Sequence, residues 1–275
     1  MTKQKITFKT IAPEQISDDS MVTYYSTPYY DEIVFSENHS NKSVLSKTSP
    51  INSEHLSKQA TNKIRDGTAK ISSHKSMDSF KNSYKDLCRY IKGYFIGDIS
   101  ERHITLTYSS IMTDTTRLSN DFKAFFKKLK RRYGQCTYIY VREPQKTGSW
   151  HLHCLIKRLD NKNFNISEEV VRKLWKHGYA VSVKKIYDIA GLCRYFNISN
   201  NKYKSNRIIF YPKDLRLFEH SRNISIKQQR LLYGDIKKML EDKKLVFEKS
   251  QEIILSDKDN HKAVINKTKY EQYKK

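Results

Sequence analysis

Two histidines separated by a single residue, His151-Leu152-His153, stand inside an otherwise apolar run from Trp150 to Lys157. If that run is extended, side-chain alternation puts both imidazoles on one face and sends Trp150, Leu152, Cys154 and Ile156 to the other. Paired imidazoles suit a metal ion that needs further ligands, and the nearest acid is Glu143, across the turn Pro144 to Ser149 (PQKTGS). Register decides whether it can reach. With a loop from Pro144 to Trp150, Glu143 sits opposite His151 on the same face; a loop ending at Ser149 turns it away unless a bulge intervenes. The competing interpretation is that the two histidines are ordinary packed or surface side chains. A candidate nucleophile, Tyr195, lies in the run Gly191-Leu192-Cys193-Arg194-Tyr195-Phe196-Asn197, with Tyr187 and Tyr203 as alternatives among 19 tyrosines.

The elements that must carry these residues are readable from local periodicity. Phe80, Tyr84, Leu87, Cys88, Tyr90, Ile91 and Tyr94 recur at helical spacing, and Arg102 to Tyr108 alternates as a strand. Ser119 to Tyr133 shows a stripe of Phe122, Phe125, Phe126 and Leu129 with basic residues around the rest, an amphipathic helix. Cys136 to Glu143 and Trp150 to Lys157 form a β-hairpin. A helix over Ser167 to Lys176, a short strand near Tyr179 to Val183 and a helix over Asp188 to Asn197 complete the order αβαββαβα. The hairpin forces antiparallel pairing, so the expected fold is α+β, a central antiparallel sheet with flanking helices.

The flanks read differently. Residues 1–76 are rich in Ser, Asn, Thr and Lys without sustained periodicity, and are expected to be largely disordered. Residues 77–220 hold the sheet domain. Residues 221–275 are expected to be a helical, basic extension, with a long helical pattern from Ile224 to Asp242.

The chain has 275 residues, 52 Lys plus Arg against 29 Asp plus Glu, and a formal charge of +23. The excess is uneven: residues 1–101 carry 14 basic and 12 acidic side chains, residues 102–200 carry 19 and 7, and residues 201–275 carry 19 and 10. A polyanion partner is therefore expected for the last two thirds. Lys127, Lys128, Lys130, Arg131 and Arg132 concentrate charge on one helix. Arg194, Lys202 and Lys204 follow near Tyr195 and are further candidates for DNA contact. The four cysteines share no metal-ligand spacing, which excludes zinc ribbons and disulfide scaffolds. With no apolar run of membrane-spanning length and no signal-peptide core, a cytoplasmic protein without membrane contact is expected.

Three motifs in order, ITLTY (Ile104 to Tyr108), EPQKTGSWHLHCLI (Glu143 to Ile156) and the helix around Arg194-Tyr195, resemble those of rolling-circle replication initiators (Rep) of the HUH endonuclease superfamily from bacterial plasmids and phages. LWKHGY (Leu174 to Tyr179) and KYEQY (Lys269 to Tyr273) are also similar to plasmid Rep proteins. The resemblance covers the chain from about Met77 onward. It implies an HUH, RRM-like fold, with Mg²⁺ or Mn²⁺ held by His151, His153 and Glu143. It further implies that Tyr195 nicks single-stranded origin DNA, often presented as a hairpin, leaving a 5′-phosphotyrosine and a free 3′-OH. Expected partners are a host helicase and polymerase and a second copy in a homodimer. Two positions depart from the common pattern: Gly191 stands where a second Tyr or a Glu often precedes the nucleophile by four residues, and Ile198 stands where many members place a Lys. The rival readings are a relaxase or single-strand transposase of the same superfamily, and a basic DNA-binding repressor without catalysis.

Overall fold

The computed structural model describes residues 5–37, 77–197, 206–256 and 261–275. In chain order the elements are β1 (Lys5–Ile11), β2 (Met21–Ser26), β3 (Tyr30–Ser36), α1 (Met77–Tyr94), β4 (Glu101–Leu106) and α2 (Thr115–Tyr133). They continue with β5 (Cys136–Pro144), β6 (Trp150–Arg158), α3 (Glu168–Trp175), β7 (Val181–Lys184) and α4 (Ile189–Phe196). A 3₁₀ turn (Asn206–Phe210), β8 (Phe218–His220), β9 (Lys227–Leu232), α5 (Tyr233–Met239), β10 (Lys244–Ser256) and β11 (Lys262–Lys274) follow. The chain divides into two compact units, Ser72–Ile226, and Met1–Ile71 together with Lys227–Lys275.

The unit Ser72–Ile226 is the expected α+β arrangement, an open antiparallel sheet in the order β7-β4-β6-β5-β8. Its helix ends have local causes. Asp114 caps α2 by accepting from the Thr116 and Arg117 amides, Ser167 caps α3 through Val170, and Asp188 caps α4 through Gly191. Gly134 ends α2 at a positive φ of 84°, a conformation glycine adopts without a Cβ clash. The α2 stripe Leu118, Phe122, Phe125 and Leu129 is buried. Phe122 meets Tyr138 and Tyr140, and Ser119 accepts from Arg142, so α2 covers the sheet face that carries the even-numbered residues of β5. The opposite face carries the odd-numbered residues of β5 and β6, and there α4 sets Phe196 against His103 and His153, with α1 packed on α4. The hairpin register pairs Glu143 with His151 and Pro144 with Trp150. This is the register that turns the carboxylate toward the histidines.

The other unit corrects the reading of both flanks. Residues 5–36 form three strands, and residues 244–274 form two long ones, in a six-stranded antiparallel sheet ordered β1-β10-β11-β3-β2-β9. The N-terminal segment is thus not a disordered tail over its described part; residues 38–76 lie outside the described residues. The C-terminal extension is not a helix: the helical pattern from Ile224 to Asp242 resolves into β9 and the seven-residue α5. The physical reason is that β1 and β3 find their partners more than 200 residues away, in β10 and β11, which local periodicity cannot register. The inward positions are also partly charged. Buried Asp31 is held by Lys243, Lys275 and the Tyr24 hydroxyl, and Lys269 bridges Glu248 and Glu271. Only a small apolar cluster around Val22, Tyr24, Ile33, Tyr233, Ile236 and Leu240 carries the usual core signal.

Candidate active site

The strand β6 delivers His151 and His153 to one face, and both are buried, at 9% and 4% exposure. Its neighbour β5 brings Glu143, at 6%, opposite His151. The three donors converge: His151 Nε2 lies 3.0 Å from His153 Nε2, and Glu143 Oε2 lies 3.1 Å from His153 Nε2 and 4.0 Å from His151 Nε2. Adjacent ligands of a small divalent ion with bonds of about 2.1 Å stand about 3.0 Å apart, so two imidazoles and a carboxylate at these separations fit one. Among the described residues this trio is the one group of His, Cys, Asp and Glu able to converge on a metal.

The third strand, β4, orients the central ligand. Thr105 pairs with His153 across the sheet, and His153 Nδ1 lies 3.3 Å from Thr105 Oγ1 and 3.2 Å from His103 Nε2. Burial foremost, then the neighbouring His153 and Lys184, pushes the His103 pKa down to about 3, so His103 is neutral and can accept from His153 Nδ1–H. That tautomer leaves His153 Nε2 with a lone pair directed at Glu143, His151 and the candidate nucleophile.

Tyr195, on α4, closes the constellation. Its hydroxyl lies 3.3 Å from His153 Nε2, its ring meets the His153 ring edge-on, and it remains 45% exposed. Burial and the Glu143 carboxylate push its pKa up to about 12, partly offset by the Arg207 cation. Arg207, from the 3₁₀ turn, donates Nη1 to Glu143 Oε1 at 3.2 Å and to the Pro144 carbonyl at 3.1 Å. Gly191, four residues before Tyr195, donates its amide to the Asp188 cap at 2.7 Å. A Cβ there would fall 2.2 Å from Asp188 Oδ2, so any larger residue would displace the cap.

The remaining sequence candidates do not gather here. Arg194 points away from the sheet, pairs with Asp188 at 3.3 Å and is 72% exposed. Tyr187 is 82% exposed, outside the cluster. Lys127, Lys128, Lys130, Arg131 and Arg132 all lie on α2, across the sheet from the histidines. Lys202, Lys204, Tyr203 and Ile198 lie outside the described residues. Conversely, His103, Thr105 and Arg207 belong to the site but are not among the sequence candidates. The alternation that places Thr105 opposite Ile104 also places His103 on the Thr105 face, a usable signal, but only the β4–β6 pairing says what that face meets.

The class defined here is an antiparallel α+β sheet domain that sets two histidines, one carboxylate and one tyrosine against a single face. Residues 101–200, which contain Glu143, His151, His153 and Tyr195, match the family model of the replication-associated protein ORF2, consistent with a rolling-circle replication initiator of the Rep type. The match spans 100 of the 275 residues. No curated protein and no solved structure matches the chain. Among the described residues, no helix is long and apolar enough to cross a membrane.

Proposed function

We propose that this protein is a metal-dependent, site-specific nickase and strand transferase that initiates rolling-circle replication on single-stranded origin DNA. The observation that carries the reading is the approach of the Tyr195 hydroxyl to within 3.3 Å of His153, the central member of a buried His-His-Glu trio. His151, His153 and Glu143 would hold a divalent ion such as Mg²⁺ or Mn²⁺. When bound, the ion supplies a Lewis acid that draws the scissile phosphate into line and offsets its developing charge.

The chain's own groups supply the rest. Tyr195 Oη attacks the phosphorus, the P–O3′ bond breaks, and a 5′-phosphotyrosine forms. The phenol loses one proton and the departing 3′ oxygen gains one, so the step is proton-neutral overall. A tyrosine held near pKa 12 is a poor nucleophile at neutral pH, which is why positive charge beside it matters. Arg207 provides one such charge from the protein, next to Glu143. His103 and Thr105 hold the His153 ring so that its Nε2 stays directed into the site. The ester keeps the phosphodiester energy for later rejoining, and the 3′-OH can prime a polymerase. Because a glycine occupies position 191, each site has a single attacking residue, and termination requires a second protomer or a second round at Tyr195.

The test is incubation of the full chain with a single-stranded origin oligonucleotide and Mn²⁺. The expected result is cleavage with a covalent protein–DNA band that is lost in EDTA. Tight binding indifferent to EDTA, with no cleavage, would favour a non-catalytic DNA-binding protein.

A further inference from the structure

On the side of the sheet away from Tyr195, α2 and β5 enclose an open cavity of about 400 Å³. Phe126 and Tyr138 form its apolar wall, both half-buried, with ring centroids 4.6 Å apart and planes at 69°. Lys123, Lys127, Lys130 and Arg131 line the same cavity. Their spacing of four, three and one residues puts them on one helical face, spread over about 12 Å at 1.5 Å per residue. Among the described residues no carboxylate lies within ion-pairing distance of any of the four. The other two cations of this basic run are engaged elsewhere: Lys128 donates to the Leu174 carbonyl at 3.3 Å, and Arg132 lies over the Tyr133 ring.

We infer that this cavity is a second DNA-binding site, taking single-stranded DNA by stacking a base on Phe126 and Tyr138 while the four cations hold the flanking phosphates. The argument is chemical complementarity. A row of cations answers any polyanion, but exposed aromatic rings between them answer one whose flat apolar faces are accessible, and a duplex keeps its base faces stacked inside. DNA is the nucleic acid because residues 101–200, which contain the whole surface, match a replication-associated family. Position adds a consequence. Since α2 covers the opposite face of the sheet from His151 and His153, the stretch bound here is different from the stretch offered to Tyr195. The surface therefore anchors a flanking or displaced strand.

The test uses the full chain in EDTA, so the outcome does not depend on nicking, and failure here is distinguishable from failure of the cleavage reading. Binding of fluorescent oligodeoxythymidylate and of a duplex of equal length is followed by anisotropy across a salt series. Lys127→Gln with Arg131→Gln should reduce the slope of log K against log salt by about 1.4, two single-strand contacts at about 0.7 each. Phe126→Leu should weaken single-strand binding about 5- to 150-fold and leave duplex binding unchanged. Because Phe126 also packs on Phe122, a photo-crosslinking arm on the wild type with 5-iododeoxyuridine is run alongside, and it should label Phe126 or Tyr138. Crosslinks confined to peptides outside residues 122–138, or equal loss of duplex and single-strand binding in a folded Phe126→Leu, would overturn the inference.

Discussion

Replacing Glu143 with Gln keeps the side-chain shape and one acceptor oxygen but removes the only negative charge of the proposed metal trio. Two effects follow, and they separate. In the metal-free protein, Arg207 loses its carboxylate partner at 3.2 Å while keeping the Pro144 carbonyl, which costs about 1–3 kcal/mol of stability. In the metal-bound protein the loss is larger. Removing a group that merely supports a ligand weakens metal binding about 10- to 100-fold, so removing the charged ligand itself should weaken it at least about 100-fold, or about 2.7 kcal/mol. At a Mn²⁺ concentration 100 times the wild-type Kd, the wild type gains about 2.7 kcal/mol of stability, and the variant gains at most about 0.4 kcal/mol. Calorimetric scans of both proteins with and without Mn²⁺ read both effects, and titration calorimetry gives the affinities directly. A Glu143→Gln protein that melts near the wild type without metal yet shows the full Mn²⁺ shift would show that Glu143 is no ligand. The same shift in a His151→Ala, His153→Ala protein would remove the site altogether.

Deleting residues 1–37 removes β1, β2 and β3, half of the six-stranded sheet, and uncovers Tyr233, Ile236 and Leu240. Limited proteolysis should then cut within residues 227–275, and unchanged resistance there would contradict the pairing of β3 with β11. Burial pushes Glu219 up, but the hydrogen bond and charge of buried Arg142 outweigh it and hold its carboxyl below the ordinary value of 4.5. A depressed carboxylate stabilises the fold above its unfolded pKa and loses that contribution as pH falls through the folded one. Urea unfolding between about pH 7 and about pH 3 should show this loss in the wild type and a flatter acid limb in Glu219→Gln, itself less stable by on the order of 1–3 kcal/mol at neutral pH. Parallel acid limbs would exclude the pair as a source of stability.

What can be read from the sequence follows the range over which its signals act. The order αβαββαβα across residues 77–197 is legible because each helix buries a local stripe, such as Phe122, Phe125 and Leu129, and each strand alternates locally. The facing of His151 and His153 is legible for the same reason. That Glu143 joins them hangs on one residue of register, which the hairpin pairing resolves. His103, Thr105 and Arg207 are not legible, because they reach the site through β4–β6 pairing and a 3₁₀ turn 64 residues after Glu143. The second sheet is hidden at both ends, since its strands pair across most of the chain and its buried Asp31, Lys269 and Glu271 imitate a solvated surface. The basic face of α2 is legible as a cluster of charge, but its place across the sheet from Tyr195 depends on which face Phe122 packs, and that is a tertiary fact.

The account stands most directly on the identity of the attacking oxygen. Trapping the covalent adduct with Mn²⁺ and a single-stranded origin oligonucleotide, digesting it, and sequencing the nucleotide-bearing peptide by mass spectrometry should place the phosphotyrosine at Tyr195, with no adduct formed by Tyr195→Phe. An adduct at Tyr187 or Tyr203, or full adduct formation by Tyr195→Phe, would contradict it.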